Sequence, residues 1–450
     1  MTDMFVPPGS RGRELRRGEV GYEAARCDAV WNARKPGRWP DTIVLAMSER
    51  DIIVAVDHAR DRGMRVALRA GGHSLWGSAL RESGVLIDIS RMRDLSIDLR
   101  HSTATVGPGV TGLDLIQALA EHRLAFPVGH CPTVALSGYL LAGGLGWNLG
   151  TWGPACSSLE SVRLVTAQGE LVSADAHHNA ELFWAVRGAG TGFFGVVTSF
   201  TVRLYPEPEA IRSRSKSFPL SDAAAVGVWL EEAAPDLPPS LELRVVVSPS
   251  SPSRPGSLEV WAAVFCDSAS EADDSLRLLF DRQPAGSEVV GAIHATETLS
   301  GLLEASSPLL PEGRRYSGDA LWSDATLGTL LESVALAAAD APSEHSVILV
   351  CPSPPTLQSH MPDAAFSVTG KTLVLPYAAW EDRTADDQNR QWLSDLTSGL
   401  KPFTHGHYVG EADLVGDPSR SVRSFAPAHW QKLQSLRATY DPQGLFYSFP

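Results

Sequence analysis

Short apolar runs separated by glycine-rich breaks mark the first part of the chain. Ile43-Val44-Leu45 is such a run and reads as a strand. Ser48-Glu49-Arg50-Asp51 then opens a helix, with Ser48 as its cap and Asp51 at the reciprocal position. Ile52, Val56 and Ala59 recur behind it at helical spacing. Gly63 stops that helix, and Val66-Ala67-Leu68 begins a second strand. Gly71-Gly72 breaks the chain, and Gly84-Val85-Leu86-Ile87-Asp88 supplies a third strand. The pattern predicts a small α+β unit with a Gly-rich turn at its heart.

A second unit is expected over residues 103–205. It holds a strand at 103–106, a helix at 113–124 and a glycine-rich stretch at 138–150. Two strands, 161–166 and 170–173, flank a hairpin turn at Gln168-Gly169, and another follows at 194–204. Composition shifts at Pro206-Glu207-Pro208. Beyond it, strands at 241–247, 258–265, 346–350 and 372–375 mix with helices at 327–339 and 385–400. The Ser- and Pro-crowded segment 248–257 reads as a surface loop. This predicts an antiparallel sheet with helices on one face. Residues 430–440 are helical, and Asp441-Pro442-Gln443-Gly444 ends them.

The chain's 450 residues are too many for one core and point to two or three domains. A net charge of −14 excludes a nucleic-acid surface and an anionic membrane face. Residues 1–20 lack an apolar core of signal-peptide length, and no stretch has the length of a membrane span. A cytoplasmic location is therefore expected. The five cysteines, Cys27, Cys131, Cys156, Cys266 and Cys351, are odd in number and scattered, with no C-x-x-C pair. Neither a metal site nor a disulfide framework is indicated; one cysteine with a private chemical task fits better.

Three segments compete for a nucleotide role: Arg69-Ala70-Gly71-Gly72-His73-Ser74, Gly143-Gly144-Leu145-Gly146 and Gly188-Ala189-Gly190. None has the strand, G-x-G-x-x-G and helix of the dinucleotide fingerprint, and none has the Gly-Lys-Ser/Thr of a P-loop. Singly, each reads as a turn.

Together they form a pattern. The first resembles the R-x-G-G-H-S loop of berberine-bridge-enzyme-like flavoproteins, within the vanillyl-alcohol-oxidase superfamily. Gly129-His130-Cys131-Pro132-Thr133-Val134 resembles that family's G-x-C-P-x-V. Gly138 through Gly146 is similar to its glycine run, and residues 179–188 to its N-x-D-L-F-W-A-x-R-G. Tyr440-Asp441-Pro442 is similar to its C-terminal Y-D-P. Departures are Ala142 in the glycine run, Ser157 and Ser158 for an Asp-Asn pair, Phe193 for Asn, and Gly444 for the Asn of Y-D-P-x-N.

The resemblance implies an α+β fold: a two-part FAD-binding domain of the PCMH type, residues 1–206 with 407–450 returning to it. An antiparallel-sheet-plus-helices substrate domain, residues 207–406, is inserted between. It implies FAD attached twice, His73 attacking the 8α carbon and Cys131 attacking C6, with both residues away from bulk solvent. Arg69, Ala70, Gly71, Gly72 and Ser74 would hold the cofactor from one loop, and Gly129, Val134, Gly138, Gly143, Gly144 and Gly146 from the next. Val197 and Tyr440 complete that set. Tyr408, in His405-Gly406-His407-Tyr408-Val409-Gly410, is the expected catalytic base, its phenol shifted toward phenolate by nearby cations. Asp413, His405, His407 and Lys371 have weaker cases.

The reaction implied is hydride transfer from an alcohol or amine carbon of a small molecule, a sugar or secondary metabolite, to the flavin. Molecular oxygen would then be reduced to hydrogen peroxide. Val134, small beside the flavin, resembles the oxidases. A dehydrogenase with another acceptor and a flavin-scaffold cyclase stay open, as do the substrate and the oligomeric state.

Overall fold

The computed structural model describes residues 12–284 and 291–450. The first sheet has the strand order Arg13–Arg16, Thr42–Leu45, Val85–Asp88, Val66–Arg69. The last three strands run parallel and the first antiparallel. Ile43, Leu86 and Ile87 are wholly buried, as parallel strands covered on both faces require. The crossover helix Glu49–Asp61 starts where expected: Asp51 N donates to Ser48 Oγ at 3.3 Å. The Asp51 carboxylate accepts from Met47 N at 2.9 Å, one residue before the cap.

The second sheet is antiparallel, in the order Leu95–Asp98, Thr103–Val106, Val196–Arg203, Leu159–Val165, Leu171–Asp175. The third is the largest: Gly291–Glu297, Ala210–Pro219, Ser257–Cys266, Leu241–Ser248, Val347–Pro352, Thr372–Trp380, Leu321–Ser323, Thr404–His407. Arg315–Gly318 also pairs with Thr372–Trp380. Helices Ala223–Ala233, Ala269–Phe280, Leu327–Ala339 and Asp386–Leu400 pack on one face, over Val245, Val260, Val350 and Val374. The other face carries Val246, Phe265, Leu349, Leu373 and Leu375 into a core shared with Phe126, Trp147 and Phe200.

Strand Thr372–Trp380 outruns its expected end at 375. Pro376 reads as a stop, since proline has no N–H for a ladder. Here the neighbouring strand is broken at that level: Gly318 pairs with Tyr377 and Leu321 with Val374, so 319–320 bridge the gap. Pro376 still accepts from Asp319 N at 3.2 Å.

Helix Pro427–Tyr440 ends at Asp441, whose carboxylate accepts from Leu445 N at 2.7 Å and Phe446 N at 3.0 Å and pairs with Arg437 at 3.3 Å. That turn lays 445–447 beside the first sheet. Val66 N donates to Leu445 O at 2.7 Å, and Tyr447 N to Val66 O at 2.8 Å. Gly444 sits at φ +66° in this turn, a region asparagine also tolerates, so glycine in place of the family's asparagine keeps the backbone path. We propose 206 and 407 as the domain limits, because the chain leaves the large sheet between His407 and Leu445. Among the described residues no helix is long and apolar enough to cross a membrane.

Asp441→Ala should strand two buried amide donors, while Arg437 keeps its bonds to Gly192 O and Phe446 O. A loss of about 2–4 kcal/mol is expected, read as an earlier first transition in urea unfolding. An unmoved transition would show that the turn forms without this carboxylate.

Candidate active site

A cavity of about 500 Å³ lies between the loops of the first two units and the inner face of the large sheet. Strand Val66–Arg69 delivers one wall. Gly72 follows at φ +75°, where a Cβ would stand 2.7 Å from Ala29 O. Trp31 N donates to Gly72 O at 2.9 Å. This turn aims His73 into the cavity, its ring stacked on Trp31 at 5.1 Å, and Trp31 stacks in turn on Tyr316 at 5.1 Å.

The Cys131 loop meets the His73 loop at one hydroxyl. Thr133 Oγ1 lies 3.1 Å from His73 Nε2 and 3.5 Å from Cys131 Sγ. Burial depresses the His73 pKa to about 4, outweighing the hydrogen bond from the Thr133 segment, which acts the other way. The imidazole is neutral, as a nucleophile must be. Both residues are half-buried on the cavity wall rather than sealed from solvent. Cys156, the other cysteine near a glycine run, is wholly buried, and burial pushes its thiol up to about 12.

The remaining wall fits an FAD. Ala70, Gly71, Ser74, Gly129, Val134, Gly146 and Val197 line the cavity. Gly138 lines it too, and a Cβ there would meet nothing within 4 Å, so the helix presents bare backbone to open space. Asn148 Oδ1 and Thr191 Oγ1 are buried on this wall without a hydrogen-bond partner among the described residues. Buried polar atoms of that kind call for a ligand. Arg81 lies over Trp76 at 4.8 Å and Tyr447 at 5.3 Å, and burial, with Arg38 nearby, lowers it to about 10. Its guanidinium donates to Ser448 O at 2.6 Å and Ser78 O at 3.2 Å, and it would be a cation on the wall within the cofactor's reach. These three residues carried no motif that sequence reasoning could use.

Several expected contacts fall elsewhere. Gly143 and Gly144 are off the cavity wall. At φ +109° and +79° they turn the chain, and a Cβ would strike the Phe366 ring at Gly143 and Ala155 at Gly144. Tyr440 stacks on Phe194 at 6.0 Å and reaches Glu181 at 3.3 Å, fixing the C-terminal helix rather than touching the cavity. Arg69 lines the wall, but its guanidinium is engaged by Asp88 at 3.2 Å and Asp28 O at 3.2 Å.

Tyr408 lines the cavity, yet the expected shift toward phenolate is reversed. Burial raises its pKa and Glu411 raises it further, against the lowering effect of the Gly144 and Leu145 amides. No cation drives it down. Two acids line the site, both missed in the sequence: Glu242, which is engaged by His130 and Asn148 N, and Glu411. Glu411 is half-buried on the cavity wall, desolvation raises its pKa, and Tyr377 Oη donates to its Oε2. The only signal was a lone acid between Gly410 and Ala412.

The buried Asp319 carboxylate holds this loop. It accepts from Asp413 N at 3.1 Å and faces Arg420 at 3.1 Å and His407 Nδ1 at 3.5 Å. His407 and Asp413 are thereby occupied beneath the site. His405 bonds Thr369 O at 3.0 Å, and Lys371 is exposed; neither lines the cavity.

Residues 40–175 match the family model described as FAD binding domain. The chain is 30% identical over 400 residues to the FAD-linked oxidoreductase nodO of Hypoxylon pulicicidum, covering 88% of each. Its fold matches 6-hydroxy-D-nicotine oxidase of Arthrobacter nicotinovorans, with TM-score 0.86, 22% identity and 98% of each chain covered. It also matches the berberine bridge enzyme of Eschscholzia californica, with TM-score 0.84, 21% identity, and 98% of this chain and 97% of that one covered.

The His73 environment sets a pH dependence. Burial favours the neutral ring, so the unfolded chain binds a proton that the folded one refuses. Stability should therefore fall as pH drops below about 6.5 and continue falling until about 4. Nitrogen-15 NMR of the imidazole in cofactor-free protein should show titration near 4; a midpoint near the free value would contradict the burial argument.

Proposed function

This chain belongs to the berberine-bridge-enzyme-like family of FAD-linked oxidoreductases, and from that premise we propose that it is an oxidase. It holds FAD through both His73 and Cys131, takes hydride from an alcohol or amine carbon of a small molecule, and passes the electrons to oxygen. The observation that carries the reading is a shared cavity. His73 and Cys131 converge on Thr133 on one wall, and the hydrogen-bonded Glu411–Tyr377 pair stands on another.

When bound, FAD supplies the two-electron acceptor. The chain's own residues do the rest. The neutral His73 ring, braced by Trp31, would offer a ring nitrogen to an electrophilic carbon. Thr133 orients it and the Cys131 thiol from between. Glu411 takes the proton from the substrate's hydroxyl or amine. Its raised pKa suits a base that must hold that proton, and Tyr377 Oη fixes the carboxylate's direction. Tyr408, whose backbone oxygen accepts from Glu411 N at 3.1 Å and Ala412 N at 3.0 Å, holds the turn that carries Glu411. Leu373, Leu375 and Trp322 keep the proton transfer away from water. Val134, on the same wall as Cys131, leaves room for oxygen that a bulkier side chain would fill. The five free cysteines among the described residues support a reducing compartment, the cytoplasm.

Acid-precipitated protein should keep its yellow colour. His73→Ala and Cys131→Ala should each keep it through the other bond, and only the double variant should release FAD. Colour in the wild-type supernatant would remove the covalent reading.

Turnover in air should yield one hydrogen peroxide per substrate oxidised. Glu411→Gln should slow anaerobic flavin reduction by about a hundredfold or more, with Tyr408→Phe affecting it far less. Flavin that stays reduced in air would point to another acceptor, and ring closure without peroxide would point to a cyclase.

A further inference from the structure

Arg244 stands on strand Leu241–Ser248 and lines the cavity. Its cross-strand neighbour is Trp261, whose ring lies 4.1 Å under the guanidinium, and Trp147 lies at 5.9 Å. The residue is 9% exposed. Among the described residues it has no ion pair and no hydrogen bond, and its Nε is buried without an acceptor. Two indole faces fix where the guanidinium sits, but they accept none of its N–H groups.

The neighbouring acids are already engaged. Glu242, two residues back, gives Oε1 to His130 Nε2 at 2.5 Å and Oε2 to Asn148 N at 3.1 Å. Glu411 is bonded to Tyr377. The cavity wall thus holds a cation that no described side chain pairs with. Burying an unpaired charge is costly, and a cation over an aromatic face recovers only part of that cost. Burial weakens the charge that Glu242 and Glu259 favour, and an arginine stays protonated regardless. What is missing is an anion, and the space in front of the guanidinium is the cavity.

The surroundings define that anion's bearer. Leu349, Cys351, Leu373 and Leu375 line the same sheet face. The Cys351 thiol feels Arg244, Glu242 and Glu411 together, so the free cation and the proposed base flank one patch. A ligand filling it has an apolar body with one anionic end. A planar carboxylate matches the guanidinium's fork of donors. The Glu411 carboxylate repels the same group, so reversed binding is disfavoured.

We propose that Arg244 is the anchor for a carboxylate on the substrate, so that the enzyme selects small apolar acids and fixes which end faces Glu411. This rests on the functional reading only in taking the cavity as the substrate's. Anchor and base then divide the work: one residue holds the end that does not react, the other faces the end that does.

Calorimetry on the flavin-loaded enzyme tests the assignment without turnover. The probes are benzoate and indole-3-acetate, with benzamide and indole-3-acetamide as uncharged counterparts. The acids should bind at least about tenfold more tightly than the amides, the margin of one charge-assisted contact. Arg244→Gln should abolish that preference while leaving amide affinity unchanged, and Arg244→Lys should restore part of it. Flavin content and unchanged amide binding report that the variants are folded. Equal affinity for acids and amides in the wild type, a preference surviving in Arg244→Gln, or no acid binding at all would overturn the proposal. A failure of the oxidase reading would instead appear as absent peroxide, with the calorimetric preference intact.

Discussion

Burial of both faces of the large sheet's central strands governs the polar side chains that point from them into the cavity. Helices cover one face through Val245, Val260 and Val350, and the cavity and its shared core cover the other through Leu349, Leu373 and Leu375. A polar group on the inner face must therefore find a partner within the wall. Glu242 finds His130 and Asn148, and Tyr377 finds Glu411. Asp319, at the break beside Pro376, gathers His407, Asp413 and Arg420. Arg244 alone of this set is left to the space itself. The site's chemistry follows from which of these pairings closes and which does not.

The first unit was open to sequence reading because its elements obey local rules. Ser48 and Asp51 cap a helix within one turn, and Gly63 and Gly72 mark positions that need a left-handed backbone. His73 and Cys131 stood out for the same reason: each sits in a loop whose glycine or proline fixes the path. The large sheet was harder. Thr372–Trp380 is buried along its whole length, so it shows no alternation, and Pro376 hides its continuation. Glu411 and Arg244 could not be found locally at all. Their meaning comes from Tyr377, Trp261 and Trp147, which lie far off in sequence.

Motif resemblance also misassigned some roles, and for a uniform reason. A motif marks residues the fold cannot do without, and it does not separate those that touch a ligand from those that bend the chain. Gly143 and Gly144 bend it past Phe366 and Ala155, and Tyr440 seats a helix on Phe194. Tyr408 belongs between these cases. It reaches the cavity, yet its burial, with Glu411 beside it, keeps the proton on the phenol.

The pairing of Val66 with Leu445 and Tyr447 has a consequence for biosynthesis. Val66 begins the strand that leads into the His73 loop, but its edge partner is translated only after the whole large sheet. On the ribosome that strand has an open edge until residues 445–447 emerge, and the contact is among the most distant in the chain. Cofactor capture by a properly seated loop must then follow translation of the substrate domain rather than accompany the early residues.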